Sequence, residues 1–429
     1  MKFSHLFSHL FLASSVSVAF GFLPQIGLAS ESAMVLPEGR FRVRAVGVFT
    51  GPVSQSFNSE GELELLSHSM NRSVTLEDIR SQNSSLDQLA SAVGSFDPGL
   101  ENELLNTNLE MNGSLSIRSY LMAVEYGVTK DITIGIRAPI VYRGATASFD
   151  AQSVNNAEYV AQKIGGVIQD SAVDDGLKQL ANQKFDKAFF EKAVFSSKGY
   201  DVPSDFEKTE IGDAEFGMKW NFLKNSKWSL SALWGGRAPT GSTASLTNLL
   251  DQGSGNGAWA TALQLFQDYE VASWVTVGSA QKITAHFQDT RERAVPLDEA
   301  DSLPSLLPEN GQVENVTRKQ SPKLETELSG TFYPFGSRTI SFWSAYQYRY
   351  KSNDEFTGPT PGKRYDLLSE GTEYVTHYGE IGVGYSSIPA FIAKKMAVPF
   401  EIKALFNTPL RGKNSTLVSY GRLDLIVYF

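Results

Sequence analysis

Residues 420–429 constrain this chain more than any other segment. Phe429, Val427, Leu425 and Leu423 occupy every second position, with Tyr428, Ile426, Asp424 and Arg422 between them. A β-strand turns successive side chains to opposite faces. One face of this strand is therefore wholly apolar, while the other carries an acid and a base. Such a segment needs a dry and a wet environment at once. Two folds supply them: an edge strand of a soluble sandwich, or the last strand of a barrel that crosses a membrane. In the second, Phe429 lies at the lipid boundary and Arg422 and Asp424 turn into the lumen.

The start of the chain bears on that choice. Met1-Lys2 precedes a mostly apolar run, Leu6 to Leu23, which leads to Gly27-Leu28-Ala29. A basic start, an apolar middle and a small-x-small end predict an export signal over residues 1–29, cleaved after Ala29. Ser14, Ser15, Ser17 and Pro24 interrupt the run and argue against a retained anchor. No later segment reaches the roughly 20 continuous apolar residues of a spanning helix. The chain has no cysteine, which excludes a lipidated cysteine and any disulfide. Its formal charge is -9. An acidic surface argues against a nucleic-acid partner, because phosphate contacts need clustered Lys and Arg.

Residues 30–429 repeat the two-faced pattern along one domain. In 40–49, Arg42 and Arg44 alternate with Phe41, Val43 and Ala45. Around the turn 129–131, Tyr120, Met122 and Val124 oppose Glu125, and Ile132, Ile134 and Ile136 oppose Arg137. Phe216, Met218 and Trp220 oppose Asp213, Glu215 and Lys219, and Trp228, Ala232 and Trp234 oppose Arg237. Leu324 and Leu328 oppose Glu325 and Glu327, and Ile340, Phe342 and Tyr346 oppose Arg349. Glu380 lies inside 373–386, while Phe400 and Ile402 oppose Glu401 and Lys403. Segments 258–266 and 272–287 read as strands whose faces the pattern leaves open, joined by 267–271. The total is about twelve strands, an even number as in single-chain outer-membrane barrels. Connections alternate short and long, with 407–414 an exception. An all-β, up-and-down transmembrane barrel in the outer membrane is the fold expected. Tyr126, Trp220, Trp228, Phe332 and Phe429, near turns, suit an aromatic girdle against the lipid. Phe429 is also the residue expected to be read by the barrel-assembly machinery.

The inward acids and bases nearly balance, which predicts a paired network that narrows the bore rather than a ring of one sign. Eight strands leave an interior that side chains fill and sixteen leave an open channel. Twelve implies a narrow or gated pore, or a lumen network that only stabilises the barrel. Two connections are long enough to fold on their own. In 145–209, Val160, Ile164 and Ile168 recur at helical spacing, and Val173, Leu177 and Leu180 follow in the same way. An amphipathic stripe must be buried on something. Helices capping the barrel mouth satisfy this, as does a vestibule that captures a hydrophobic solute; a membrane-surface contact is a third reading. In 50–113, Leu86, Leu89, Val93 and the leucines from Leu100 to Leu109 suggest further short helices. Loops 239–257 and 288–320 read as solvent-exposed.

The run Val124-Glu-Tyr-Gly-Val-Thr-Lys-Asp-Ile-Thr-Ile-Gly-Ile-Arg-Ala-Pro139 resembles a signature of the outer-membrane transporter family named for the MetA pathway of phenol degradation. Gly212-Asp213, opening a strand, and Arg237-Ala-Pro-Thr-Gly241, ending the next, resemble its second hallmark. The similarity spans chiefly residues 119–241. It implies outer-membrane location, lipid as a partner and uptake of small hydrophobic or aromatic solutes. Aromatic content also loosely resembles the long-chain fatty-acid transporters. Only residues 30–39 separate the leader from the first strand, so an N-terminal plug like theirs is not expected.

Two rival classes remain. An enzyme of the barrel-phospholipase kind needs a serine beside a histidine held by Asn or Asp. Of His5, His9, His68, His286 and His377, none shows a His-x-Ser spacing on a strand. No His or Cys cluster offers a metal site, and nothing calls for a cofactor. A channel or transporter is thus expected; a structural or adhesive surface protein is the alternative.

Overall fold

The computed structural model describes residues 32–68, 71–75, 90–95, 97, 99–100, 104–164, 171–182, 184–296 and 312–429. The export signal, Leu86, Leu89 and Ile168 lie outside them. Twelve strands form the barrel: β1 Phe41–Thr50, β2 Leu105–Thr129, β3 Ile132–Asn155, β4 Ala214–Lys224, β5 Trp228–Ala238 and β6 Ala260–Ala272. They continue as β7 Val275–His286, β8 Lys323–Phe332, β9 Ile340–Lys351, β10 Tyr374–Ser386, β11 Phe400–Lys413 and β12 Tyr420–Tyr428. Each pairs antiparallel with its sequence neighbours. β12 returns to pair with β1, from Arg42 opposite Tyr428 to Thr50 opposite Tyr420. The sheet is closed and has no free edge to satisfy, as lipid demands. Phe206–Ile211 continues the line of β4 against β3, and Arg72–Thr75 flanks the outer half of β2.

The outer wall is apolar all the way round. Met122, Ile136, Phe216, Trp234, Leu263 and Ile283 stay exposed on one half of the barrel; Leu328, Phe342, Ile381, Phe406 and Leu423 do so on the other. A continuous exposed belt of this size has no place in water. The barrel therefore spans a membrane, with lipid on the belt. Phe41, Trp220, Trp228, Trp274, Phe332 and Phe429 ring the short-turn, periplasmic end. Phe49, Tyr120, Trp259 and Phe287 ring the other.

Three boundaries differ from expectation. β6 runs on through 267–271 and turns at 273–274. Gln267, Asp268, Tyr269 and Glu270 put polar groups on both faces at the interfacial rim, which mimics a turn. β11 crosses the expected connection 407–414 and ends at Lys413; a bulge opposite His377 and Tyr378 leaves Leu410 unpaired next to Pro409 and lets the strand run on. Residues 105–113 are strand rather than helix. There Leu105, Leu109 and Met111 are buried and alternate with exposed Asn106 and Asn108, a period of two.

β2 and β3 are twice as long as their neighbours, pairing from Leu105 opposite Asn155 to Thr129 opposite Ile132. At roughly 3.4 Å per residue, their outer part projects well beyond the belt. It carries helices α1 Ala157–Ile164, α2 Ser171–Asn182 and α3 Lys187–Val194. Asp186 caps α3, accepting a hydrogen bond from the Phe189 backbone N–H at 3.0 Å. Val160, Leu177, Leu180, Phe190 and Phe195 pack with Leu105, Met111 and Phe149 of the hairpin into one core outside the membrane. Val93 joins the same core.

Candidate functional site

The inward face of the barrel is polar, and strand pairing sets its charges side by side. Arg44 on β1 and Arg422 and Asp424 on β12 form a buried triad. Arg44 Nη2 and Arg422 Nη2 each donate to Asp424 Oδ2 at 2.6 Å. Arg42 pairs with Glu125 across the β1–β2 seam. Glu215 on β4 lies between two guanidiniums: Arg137 Nε donates at 2.7 Å and Arg237 Nη2 at 2.8 Å. Glu325 on β8 faces Lys282 Nζ at 3.4 Å and Arg349 Nε at 3.6 Å. Glu380 accepts from Trp343 Nε1 at 3.0 Å, Asn407 Nδ2 at 3.2 Å and Gln347 Nε2 at 3.3 Å. Gln347 also reaches Glu327, at 3.2 Å. Lys403 pairs with Glu401 at 3.3 Å. An isolated buried charge is costly, whereas a paired and hydrogen-bonded one is tolerable. The network therefore braces the inner wall of the barrel.

Two of the expected lumen residues do something else. Asp213 accepts the backbone N–H groups of Gly241 at 3.0 Å and Asn256 at 2.8 Å, so it pins loop 239–257. That loop is not solvent-exposed as its Gly/Ser-rich composition implied; Asp251 and Ser254 are buried. Arg143, itself buried, donates to Asp251 at 2.5 Å, and Lys208 adds a second contact. Burial works against the Asp251 carboxylate, but the bonds from Lys208 and Arg143 hold its pKa below the usual value. Lys219 is the second. Its Nζ donates at 2.5 Å to the carbonyl of Ser32, a residue preceding the first strand.

Residues 32–37 enter the periplasmic end of the lumen. The Ala33 N–H donates to Asp268 Oδ2 at 2.7 Å, and its carbonyl accepts from Asn221 Nδ2 at 2.9 Å. The Leu36 N–H donates to Thr133 Oγ1 at 2.8 Å. Ala33 is fully buried beside Phe266 and Ala280. Gly127 permits the approach: a Cβ there would lie 2.1 Å from the Pro37 carbonyl oxygen. An N-terminal plug like that of the fatty-acid transporters is not expected here, yet residues 32–37 occupy the periplasmic end of the lumen. Eight or nine extended residues reach far enough to turn inside.

Between this segment and the charged network lies a cavity of about 130 Å³, bounded by Leu36, Ala123, Leu233 and the Arg137–Glu215–Arg237 cluster. A row of missing side chains makes the space. Gly135, Gly217 and Gly235 stand in register on β3, β4 and β5, all facing inward. Lys282, Trp343, Asn407 and Asp268 were not singled out from the sequence. The strand expected over 272–287 holds Lys282, but the pattern leaves its faces open; exposed Ile283 marks the outer face and turns Lys282 inward, between Ala280 and Thr284. No periodic signal marks residues 32–37.

Of the loop residues, Val160 and Leu177 are fully buried in the outer core. Ile164 ends α1. His377 lies on the outer wall and contacts the Tyr346 hydroxyl, and His286 lies at the outer end of the lumen.

No family model matches the chain, and no curated protein matches it. Solved structures do. An outer membrane channel from Pseudomonas putida F1 superposes with a TM-score of 0.51 at 10% identity, covering 92% of this chain and 98% of that one. The Ralstonia pickettii toluene transporter TbuX superposes at a TM-score of 0.31 and 8% identity, over 92% of this chain and 89% of its own. The Pseudomonas putida toluene transporter TodX gives 0.30 and 9%, over 92% and 89%. Only the first is close enough to bear on architecture, and it shares the fold: a bacterial outer-membrane β-barrel.

Proposed function

We propose that this protein is a gated outer-membrane channel for small hydrophobic or aromatic compounds. The glycine-lined cavity carries the reading. Its volume of about 130 Å³ is close to that of a cavity able to hold one benzene ring. Leu36, Leu233 and Ala123 offer apolar wall, and the paired charges exclude a wide aqueous path. Solute enters from the outer loops, and the layer built on β2 and β3 forms part of the approach, with the core around Val160 and Leu177 holding that layer in place. Residues 32–37 close the exit until they are displaced. The fold shared with a solved outer membrane channel supports a pore rather than an enzyme or an adhesive surface.

Gly217→Val tests the proposal. It fills the cavity with modest backbone strain, since the first carbon added lies 3.2 Å from the Trp234 carbonyl oxygen. Benzyl alcohol entry into proteoliposomes carrying the wild type is expected to exceed that into protein-free liposomes, and the variant is expected to lose most of the excess. Equal entry with both proteins, when both migrate as folded barrels on unheated gels, refutes it. No excess with the wild type favours the surface-protein alternative.

A further inference from the structure

The outer end of the lumen collects positive charge. Arg237 on β5, Ala260 on β6 and His286 on β7 are register partners. One step below, Thr284 on β7, Lys323 on β8 and Lys351 on β9 are partners in turn. All face inward, so four basic side chains from β5 to β9 share one stretch of the inner wall, two of them flanking the small Ala260. The sheet of Asp289–Ala294 and Val313–Lys319 covers this region and adds Arg293 and Arg318.

The carboxylates nearby are committed to other partners. Glu215 holds Arg237 and Arg137. Asp354 lies 2.5 Å from Lys351 Nζ, and Asp289 takes Arg318 at 2.9 Å and Arg291 at 3.0 Å. Glu325 faces Lys282 at 3.4 Å and Arg349 at 3.6 Å, though its Oε2 accepts no hydrogen bond. Three basic residues are left. Among the described residues, both ring nitrogens of half-buried His286 and the Nε of Arg293 are shielded from solvent and have no hydrogen-bond partner. Lys323 is 5% exposed and has no carboxylate within ion-pair distance among the described residues. Lys323 and Arg293 share the carboxylates of Glu325, Asp354 and Asp289 with other cations already paired to them, and a buried charge so thinly compensated is costly to keep. Cations gathered around unfilled donors suit an anion.

We propose that His286, Arg293 and Lys323 form a binding site for the carboxylate of a small aromatic acid. Arg237 and Thr284 line the glycine-walled cavity, so the site adjoins that cavity at its outer end. The carboxylate sits among the three donors and the ring points down toward Leu233 and Leu36. This deepens the channel reading, on which it rests, by naming the solute class as amphipathic anions rather than neutral hydrocarbons.

Benzoate, its neutral analogue benzyl alcohol and inorganic phosphate are the probes, with binding to the detergent-solubilised full-length protein followed by calorimetry. Benzoate is expected to bind at least ten-fold more tightly than benzyl alcohol. Lys323→Met is expected to cut benzoate affinity about ten-fold and leave benzyl alcohol unchanged. Comparable wild-type affinities for benzoate and benzyl alcohol would overturn the proposal, and this arm needs no variant. So would an unchanged benzoate affinity in a folded Lys323→Met. If that variant does not fold, Arg293→Met in the covering sheet replaces it, with the same outcomes. Phosphate competing as well as benzoate would show that only charge is read, which overturns the aromatic assignment. Entry of benzyl alcohol into proteoliposomes is a separate matter: it can succeed while benzoate binding fails, in which case the channel stands and the anion site falls.

Discussion

Asp268→Ala probes the hold on residues 32–37. The Asp268 carboxylate accepts the Ala33 N–H at 2.7 Å, and Ala33 is fully buried. The substitution removes a hydrogen bond to a charged group and leaves a buried donor unmet, a loss of about 2–3 kcal/mol. That corresponds to a shift of roughly 30- to 150-fold toward the displaced segment. Segments of this length are held by few bonds, here four from Thr133, Lys219, Asn221 and Asp268. Each ordered residue also costs about 1–2 kcal/mol of backbone entropy, so the docked state has little margin. In planar bilayers the wild type is expected to show rare brief openings and Asp268→Ala a much higher open fraction. Asp268→Asn, which keeps a neutral acceptor, is expected to fall between them. Deletion of residues 32–36 sets the upper limit. Should the deletion and Asp268→Ala both conduct like the wild type, the segment does not close the pore and the reasoning fails.

Other expectations follow from single contacts. Removing Phe429 deletes the exposed aromatic whose backbone pairs with Phe41, and outer-membrane abundance of the folded, heat-modifiable form is expected to drop several-fold; normal abundance would refute its role in assembly. Leu177→Ala empties a fully buried site in the outer core and is expected to cost that layer about 2–5 kcal/mol, seen as faster proteolysis of 156–205 with the barrel intact. The depressed Asp251 pKa gives a signed pH effect. A carboxyl lowered on docking contributes stability above its ordinary value near about pH 4 and loses it as pH falls through the lower docked value. Loop 239–257 is therefore expected to stay protected from exchange at neutral pH and to loosen only in strong acid, and Asp251→Asn is expected to abolish that dependence.

The barrel was legible because its walls face two solvents. Alternation as strict as Phe216, Met218 and Trp220 against Glu215 and Lys219 leaves one face for lipid, whatever the distant contacts. The rim was less legible. At Gln267 to Glu270 both faces meet the polar interface, the period of two disappears, and strand reads as turn. Composition misleads at 239–257, where Ser and Gly point to solvent. Their small size instead lets the loop fold tightly onto Asp213 and Arg143, which sit elsewhere in the chain. The outer helices were visible as a stripe, but not their partner. β2 and β3 continue far enough beyond the membrane to supply it, and only pairing over the whole hairpin reveals that. The inward charges could be placed on a face, yet who pairs with whom depends on strand register. Residues 32–37 have neither period nor motif, and their place depends on Thr133, Lys219, Asn221 and Asp268 converging from three strands.

The exchange of backbone hydrogen bonds between Phe41 and Phe429, at 3.1 and 2.9 Å, makes the chain almost a ring. Where such a ring is cut is a matter of ancestry rather than geometry. A short linker from 429 to 41, with new ends opened in the turn at 225–226, would preserve all twelve strand pairings and their registers. It would also drop the lumen segment and bury the terminal aromatic in a turn. The rearranged protein would thus separate the pairing that closes the cylinder from the free terminal aromatic, and its yield in the membrane would tell which of the two assembly needs.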